Sequence, residues 1–494
     1  MAIGAPTPAV DADEGAFARV REALRTADFS VERIGAVLGT TELSSRRTDV
    51  AVHARRLGDD PFSVLARLFL LGFPMAAAAV DVVVATVDLE ALRVAALEAD
   101  IVRPQVRLVP HGDYLIASDF HPEEGETPFD FVPGIQAPSV TLAKLAVRRP
   151  IARALDLGTG CGIQALLAAK HSERVVATDV NPRALAFAAF NVRLNGLDNV
   201  DVRLGGGFEP VAEDRFDLIV SNPPYVISPD SDYAYRDSGL AGDALCRALV
   251  AAAPDHLADG GFAHLLVSWS AAAGDESAEP LRSWVEGSGC DAWLLHYRTE
   301  DPLTHAAGWL RPGAETDPAG FAPALDRWVG ALERLGVEAV GYGAVVLRRR
   351  AGGSGWVAME RLPLDRLEPA GEHTLRVFAG RDLLATTTTL ADLLEERLAL
   401  VEQHRLSQVL RARDGGFTIE AQTLELTDGL GLQIGVDRHT ASLLPHLDGE
   451  RPLREALAAA ATTFELGALE RDRFATAALP VVARLLELGL LVRA

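Results

Sequence analysis

Two short stretches hold residue types that can do chemistry: Asp156-Leu-Gly-Thr-Gly-Cys-Gly162 and Asn222-Pro-Pro-Tyr225. In the second, the Asn222 side-chain oxygen and the Pro223 carbonyl are two acceptors that can take both hydrogens of a planar –NH2 group. Pro223 and Pro224 fix that carbonyl in place, and Tyr225 can stack on a flat group. In the first, Gly158, Gly160 and Gly162 let backbone approach a ligand closely, and the helix that follows offers unpaired N–H groups to a nucleotide-like molecule. A second acid, Asp179, ends an apolar run 23 residues after Asp156. An acid at a strand tip can accept from both hydroxyls of a ribose diol.

A dinucleotide fold wants G-x-G-x-x-G, whereas this chain has Asp-x-Gly-x-Gly-x-Gly with the acid two residues ahead of the first glycine. That spacing resembles motif I of the class I S-adenosylmethionine-dependent methyltransferases. Asn-Pro-Pro-Tyr resembles the catalytic signature of amino-methyltransferases, which modify planar nitrogens in glutamine side chains or nucleobases. Over roughly Asp130 to Arg350 the chain is similar to the release-factor glutamine methyltransferases and to related small-domain N-methyltransferases. The resemblance implies an α/β, Rossmann-like domain with a doubly wound, mostly parallel sheet. It implies S-adenosyl-L-methionine as cofactor, with S-adenosyl-L-homocysteine as product. Cofactor binding would fall to Asp156, Gly158, Thr159, Gly160, Cys161, Gly162, Asp179, Val180, Asn181, Gly206, Phe208 and Asn222. Catalysis would fall to Asn222, Pro223, Pro224 and Tyr225. The lone pair of an amide or exocyclic amine is delocalised, so the nitrogen must be turned toward the methyl donor; the sulfonium leaving group supplies the driving force and no strong base is needed. At one place the chain departs from the resemblance, carrying Gly206 where relatives usually have an Asp, which removes the usual adenine contact.

The elements needed to position these groups are legible as alternating apolar runs and helical stretches. Ile151–Leu157 reads as a buried parallel strand, Arg174–Thr178 as the second, Val200–Leu204 as the third and Phe216–Val220 as the fourth. Between the second and third lies a helix from Asn181 to Asn195, with Pro182 in its first turn and Gly196 as its stop. Phe262–Trp269, Ala292–His296 and Val340–Leu347 complete the sheet. Gln136, in the segment before the first core helix, and Tyr235 and Arg236, in the polar loop Ser228–Asp243, are candidates for contacting the acceptor. The loop lacks the glycine that a calcium loop needs at its sixth place, occupied by Tyr235, so no metal is expected.

At 494 residues and 49% hydrophobic, the chain is long enough for several buried cores. The expected organisation is a helical, winged-helix-like N-terminal domain over 1–108, the catalytic domain over 109–362, and a small α+β accessory domain, itself winged-helix-like, over 363–494. Within the last, Leu390 to Leu410 reads as a helix with Leu393, Leu400 and Leu406 inward. A formal charge of −22, with Lys144 and Lys170 the only lysines, disfavours non-specific attraction to nucleic acid. The expected acceptor is therefore an amide of a protein, a peptide or a small metabolite. An N-methyltransferase of an RNA base is the second reading, raised by any basic patch around Arg148, Arg149 and Arg153, and a non-catalytic S-adenosylmethionine-binding protein is the third. Three cysteines form no framework, no basic-then-apolar leader precedes Asp13, and Leu68–Val87 carries Pro74 and Asp81 inside an otherwise span-length apolar run. These features point to a cytoplasmic protein that does not enter a membrane. The residues leave the oligomeric state open.

Overall fold

The computed structural model describes residues 6–41, 47–121, 127–230, 232–237, 239–311, 313–315, 317–352, 355–413, 415–464 and 468–494. Positions 231 and 238 of the Ser228–Asp243 loop, and positions 1–5 ahead of Asp13, lie outside the described residues. The chain divides into two compact units, one of residues 1–142 with 149–361 and the other of 143–148 with 362–494.

The first unit is built on an eight-stranded sheet, whose strands are numbered here β1 Ile151–Leu157, β2 Ser172–Asp179, β3 Val200–Leu204, β4 Phe216–Ser221, β5 Leu257–Ala271, β6 Cys290–Glu300, β7 Ala339–Arg349 and β8 Val357–Arg361. Their spatial order is β8-β6-β7-β5-β4-β1-β2-β3. β1 to β5 run parallel, β7 is antiparallel to both its neighbours, and β8 lies parallel to β6. This is the doubly wound α/β architecture expected, with one more edge strand. The helices used below are α1 Ile163–Ala169, α2 Pro182–Leu194, α3 Ala244–Ala252, α4 Pro302–Leu310 and α5 Pro318–Arg334. The inner half of β1 is covered on both faces, so Ala154, Leu155, Asp156 and Leu157 are buried alike, while Ala152 near its start is exposed.

Ahead of the sheet lie short helices, beginning with Glu14–Thr26 and Val31–Leu38, then a three-stranded sheet and a hairpin of Arg107–His111 with Tyr114–Ser118. Phe17, Val20 and Leu24 bury the expected stripe, and Phe17 meets Phe190 of α2 with ring centroids 5.3 Å apart. Ser30 and Asp60 cap the helices that follow them. The apolar run Leu68–Val87 is broken into several short elements, and among the described residues no helix is long and apolar enough to cross a membrane.

In α2, the Asn191 amide donates to the Ala117 carbonyl at 2.9 Å and accepts the Ala117 N–H at 2.8 Å, while Asn195 does the same with Leu115. Two side chains thus satisfy the hairpin's open edge as a neighbouring strand would.

The second unit joins two long helices, Gly371–Thr386 and Ala468–Glu487, and shorter ones to two three-stranded sheets, one of which includes the terminal strand Leu491–Arg493. Here one expectation is corrected. Leu390 to Leu410 is no helix: after a short 3-10 turn at Leu390–Glu395 the chain forms strand Arg397–Leu400, then the long strand His404–Arg413, paired with Gly416–Leu426. The reversal turns through Gly415 at φ 80°, a conformation glycine reaches without strain. The leucines at helical spacing were outweighed by this turn.

Candidate active site

The sheet order places three strand ends side by side. Leu157 of β1 lies opposite Thr178 of β2 on one side and Ser221 of β4 on the other. The glycine turn, Asp179 and Asn222 therefore all leave the same carboxyl edge from adjacent strands, where open α/β sheets bind ligands. Ser221 ties two of them, its hydroxyl donating to the Leu157 carbonyl at 2.8 Å.

Gly158, Gly160 and Gly162 have φ of 74°, 56° and 86°. The three do different jobs. A methyl group added at Gly158 or Gly160 would meet nothing within 4 Å, which is open space for a ligand to approach backbone, whereas at Gly162 it would sit 3.1 Å from Ala188 of α2. Gly162 is a packing glycine.

The two acids also separate. Asp156 is buried inside the turn, one oxygen accepting the Thr159 hydroxyl at 2.6 Å and the Ala165 N–H of α1 at 2.9 Å. Burial raises its carboxyl to about 7, with Asp179 adding repulsion. Asp179 is half-buried and accepts the Gly160 and Asn181 N–H groups at 2.9 Å, one on each oxygen. Its carboxyl too is raised by burial, those N–H groups pulling the other way. Each oxygen keeps a lone pair, which is what a diol needs.

Thr159 and Cys161 shape the turn: the Thr159 N–H donates to the Thr178 carbonyl at 2.9 Å, and the Cys161 carbonyl accepts from Asn191 at 2.8 Å. Burial pushes the Cys161 thiol up to about 12, so it stays protonated. Asn181 caps α2 and donates to the Asp130 carbonyl at 3.1 Å. Val180 points outward, 62% exposed, and stands 3.5 Å from where a Gly206 side chain would begin. Phe208 is buried, one face stacked on His256 at 4.3 Å.

Asn222 is half-buried, and among the described residues its side-chain amide has no hydrogen-bond partner. Pro223 is buried beside it and Pro224 half-buried. The Tyr225 ring meets Trp309 and Tyr342 edge-on at 6.5 and 6.4 Å, and burial pushes its phenol up to about 12.

The loop beyond is held from within. The Asp237 carboxylate accepts from Arg236 at 2.8 and 2.9 Å, from the Ser228 hydroxyl and from the N–H groups of Asp232 and Tyr233. Arg236, with its guanidinium over the Tyr233 ring, is thereby committed inside the loop. Tyr235 packs 5.8 Å from Phe131, while Gln136 stands exposed just ahead of helix Ala137–Leu145. Asp119 and Arg183 form a buried ion pair beneath this segment, and Asp119 also accepts the Val132 N–H at 2.7 Å.

Four residues at the site escape the motif reading: Trp309, His305, Trp328 and Tyr342. Three lie on α4 and α5, inserted between the last two long strands, and the signal that could have found them is the pair Asp301-Pro302 and Asp317-Pro318. Each acid caps a helix and each proline opens it, as at Asp60-Pro61.

The family described as methyltransferase small domain matches residues 136–272, the span from Gln136 through the glycine turn and Asn222 to the end of β5. Among curated relatives, the release factor glutamine methyltransferase of Xylella fastidiosa is 40% identical over 129 residues, 24% of this chain and 47% of that protein. The ribosomal protein uL3 glutamine methyltransferase of Bradyrhizobium diazoefficiens is 39% identical over 126 residues, 23% of this chain and 40% of that protein. The chain thus spans about half the length, or less, of these relatives. A solved methyltransferase structure from Pyrococcus furiosus covers 48% of this chain and 89% of its own at 19% identity, with a TM-score of 0.28. A second family, described as a domain of unknown function (DUF7782), matches residues 376–493, outside the span of the first match.

Proposed function

We propose that the chain is an S-adenosylmethionine-dependent N-methyltransferase whose acceptor is a side-chain amide of a protein. The single observation that carries this is the half-buried, unpartnered Asn222 amide beside the Pro223 carbonyl, issuing from the strand next to the glycine turn. The open space over Gly158 and Gly160 and the spare lone pairs of Asp179 fit the donor molecule, and the exposed Val180 next to Asp179 is a candidate to line its adenosine. When bound, that donor supplies a methyl group on a positively charged sulfur. Asn222 and Pro223 accept the two amide hydrogens and turn the nitrogen lone pair toward the methyl, and Tyr225 covers the planar group. The nitrogen loses its proton after transfer, so alignment carries the step. The names of the relatives, both glutamine methyltransferases of translation proteins, support a protein acceptor over a metabolite.

The RNA reading loses its support at the arginines that would raise it. Arg149 donates to the Gly260 carbonyl at 3.0 Å and Arg153 pairs with Asp214 at 2.7 Å; both sit at the start of β1, the far edge from the glycine turn. Arg148, in the second unit, donates to the Ala143 carbonyl at 2.7 Å. The residues 1–108 and 363–494 flank this chemistry, and substrate docking is the role proposed for them.

The test is Asn222→Ala. It should leave S-adenosylmethionine affinity nearly intact by calorimetry and lower turnover by roughly two orders of magnitude or more. Undiminished turnover would remove the alignment mechanism.

A further inference from the structure

His305 is a fully buried imidazole wired to the chain two residues beyond Tyr225. Its Nε2 lies 2.8 Å from the Ile227 carbonyl oxygen and its Nδ1 lies 2.5 Å from the Tyr342 hydroxyl. A carbonyl only accepts, so Nε2 carries the proton and Nδ1 accepts from the hydroxyl. That hydroxyl in turn accepts the Trp309 indole N–H at 3.1 Å. Donation therefore runs one way, from Trp309 to Tyr342 to His305 to Ile227. Burial holds the ring neutral, pushing its pKa down to about 4, and the Arg298 guanidinium over the Tyr342 ring acts in the same sense.

The same groups hold Tyr225, whose ring is flanked edge-on by Trp309 and Tyr342. Farther along, Trp328 donates to Asp230 at 2.7 Å, and Val226 packs with Ala306 and Trp328. A buried polar chain with every member satisfied fixes one arrangement, because breaking any link leaves a buried donor or acceptor unpaired.

We infer that His305, with Tyr342 and Trp309, is a positioning group for Asn222-Pro-Pro-Tyr225, holding the Tyr225 ring and the chain that leaves it so that the two acceptor oxygens keep their aim. The inference rests on the nitrogen-alignment reading and deepens it. It makes the inserted pair α4 and α5 the element that sets the acceptor side of the site.

Three variants of the full chain test it. Tyr342→Phe deletes one hydroxyl and keeps the ring, His305→Leu removes both ring nitrogens, and His305→Gln keeps a donor for the Ile227 carbonyl. Tyr342→Phe and His305→Leu should bind S-adenosylmethionine within about twofold of the wild type, speed amide exchange selectively over 222–230 by about tenfold, and lower kcat about tenfold at saturating acceptor. His305→Gln should recover most of both losses. Unchanged exchange over 222–230 in Tyr342→Phe, exchange raised evenly across the unit, or His305→Gln no better than His305→Leu would each overturn the inference. Should the wild type transfer no methyl group, the proposed function falls, and the exchange pattern still decides whether His305 positions this segment.

Discussion

Asp156 and Asp179 are carboxylates at neighbouring strand ends, and burial raises both, yet their partners give them different work. Asp156 spends an oxygen on Thr159 and on the first turn of α1, so it shapes the turn from inside. Its carboxyl sits at about 7 in the fold against 3.8 as a free side chain. The folded chain therefore holds that proton more tightly, so this carboxyl's own contribution to stability is complete below pH 3.8 and is lost as pH rises through about 7. Asp156→Asn should flatten that fall, read as the difference in urea midpoint between mildly acidic and mildly alkaline buffer; an equal fall in the variant would assign the dependence to another group. Asp179 faces the open side of the turn, and Asp179→Ala should weaken S-adenosylmethionine binding before it touches anything else. Unchanged affinity would place the ribose contact at another residue. Gly206 offers the converse experiment. A side chain there would begin 3.5 Å from Val180, an ordinary contact, so Gly206→Asp should fold normally and tighten cofactor binding by supplying an acceptor for the adenine amine. Equal or weaker affinity would show that backbone groups already read that edge.

At the scale of elements, the placing of most of the candidate site was legible because the strands carrying it are central ones. The inner half of a run such as Ile151–Leu157 has both faces buried, so its apolar composition marks it, and the glycine turn, Asp179 and Asn222 follow at strand ends whose adjacency the α/β topology dictates. The acceptor side was less legible. Trp309, His305 and Tyr342 are distant in sequence from Tyr225, and nothing in their local spacing links them to it before the fold brings them together. Arg236 looks like a loop cation ready for a ligand, but its partner is the adjacent Asp237, a pairing that polarity alone does not reveal. At Leu390–Leu410 leucine spacing misled, since a hairpin's turn and pairing decide over periodicity. Gly162 gives an element-scale prediction. With φ of 86° and Ala188 at 3.1 Å, Gly162→Ala forces strain into the junction of β1, α1 and α2 and should cost about 1–3 kcal/mol in urea unfolding. A loss of only a few tenths would mean that α2 shifts freely, against its Asn191 and Asn195 ties to the hairpin.

On the scale of the whole molecule, charge and packing narrow what the chain can serve. A net charge of −22, with the arginines at the start of β1 already engaged, gives a phosphate backbone little to bind. The N-terminal helices share a core with α2 of the eight-stranded-sheet domain through Phe17, Phe187 and Phe190, all fully buried. Removing residues 1–108 should therefore uncover α2 and yield an aggregating or partly unfolded product, which light scattering would detect; a monodisperse, cofactor-binding remainder would show that α2 stands without them. The central claim, that this fold aligns a planar amide nitrogen of a protein with a methyl donor on the glycine turn, is tested most directly by the product. The chain is incubated with methyl-labelled S-adenosylmethionine and extract from a strain lacking the protein, the label is divided by protease, ribonuclease and filtration, and the labelled residue is sequenced by mass spectrometry. The account predicts protease-sensitive label on a side-chain amide nitrogen; ribonuclease-sensitive label, or label on a carboxylate or thiol, would contradict it.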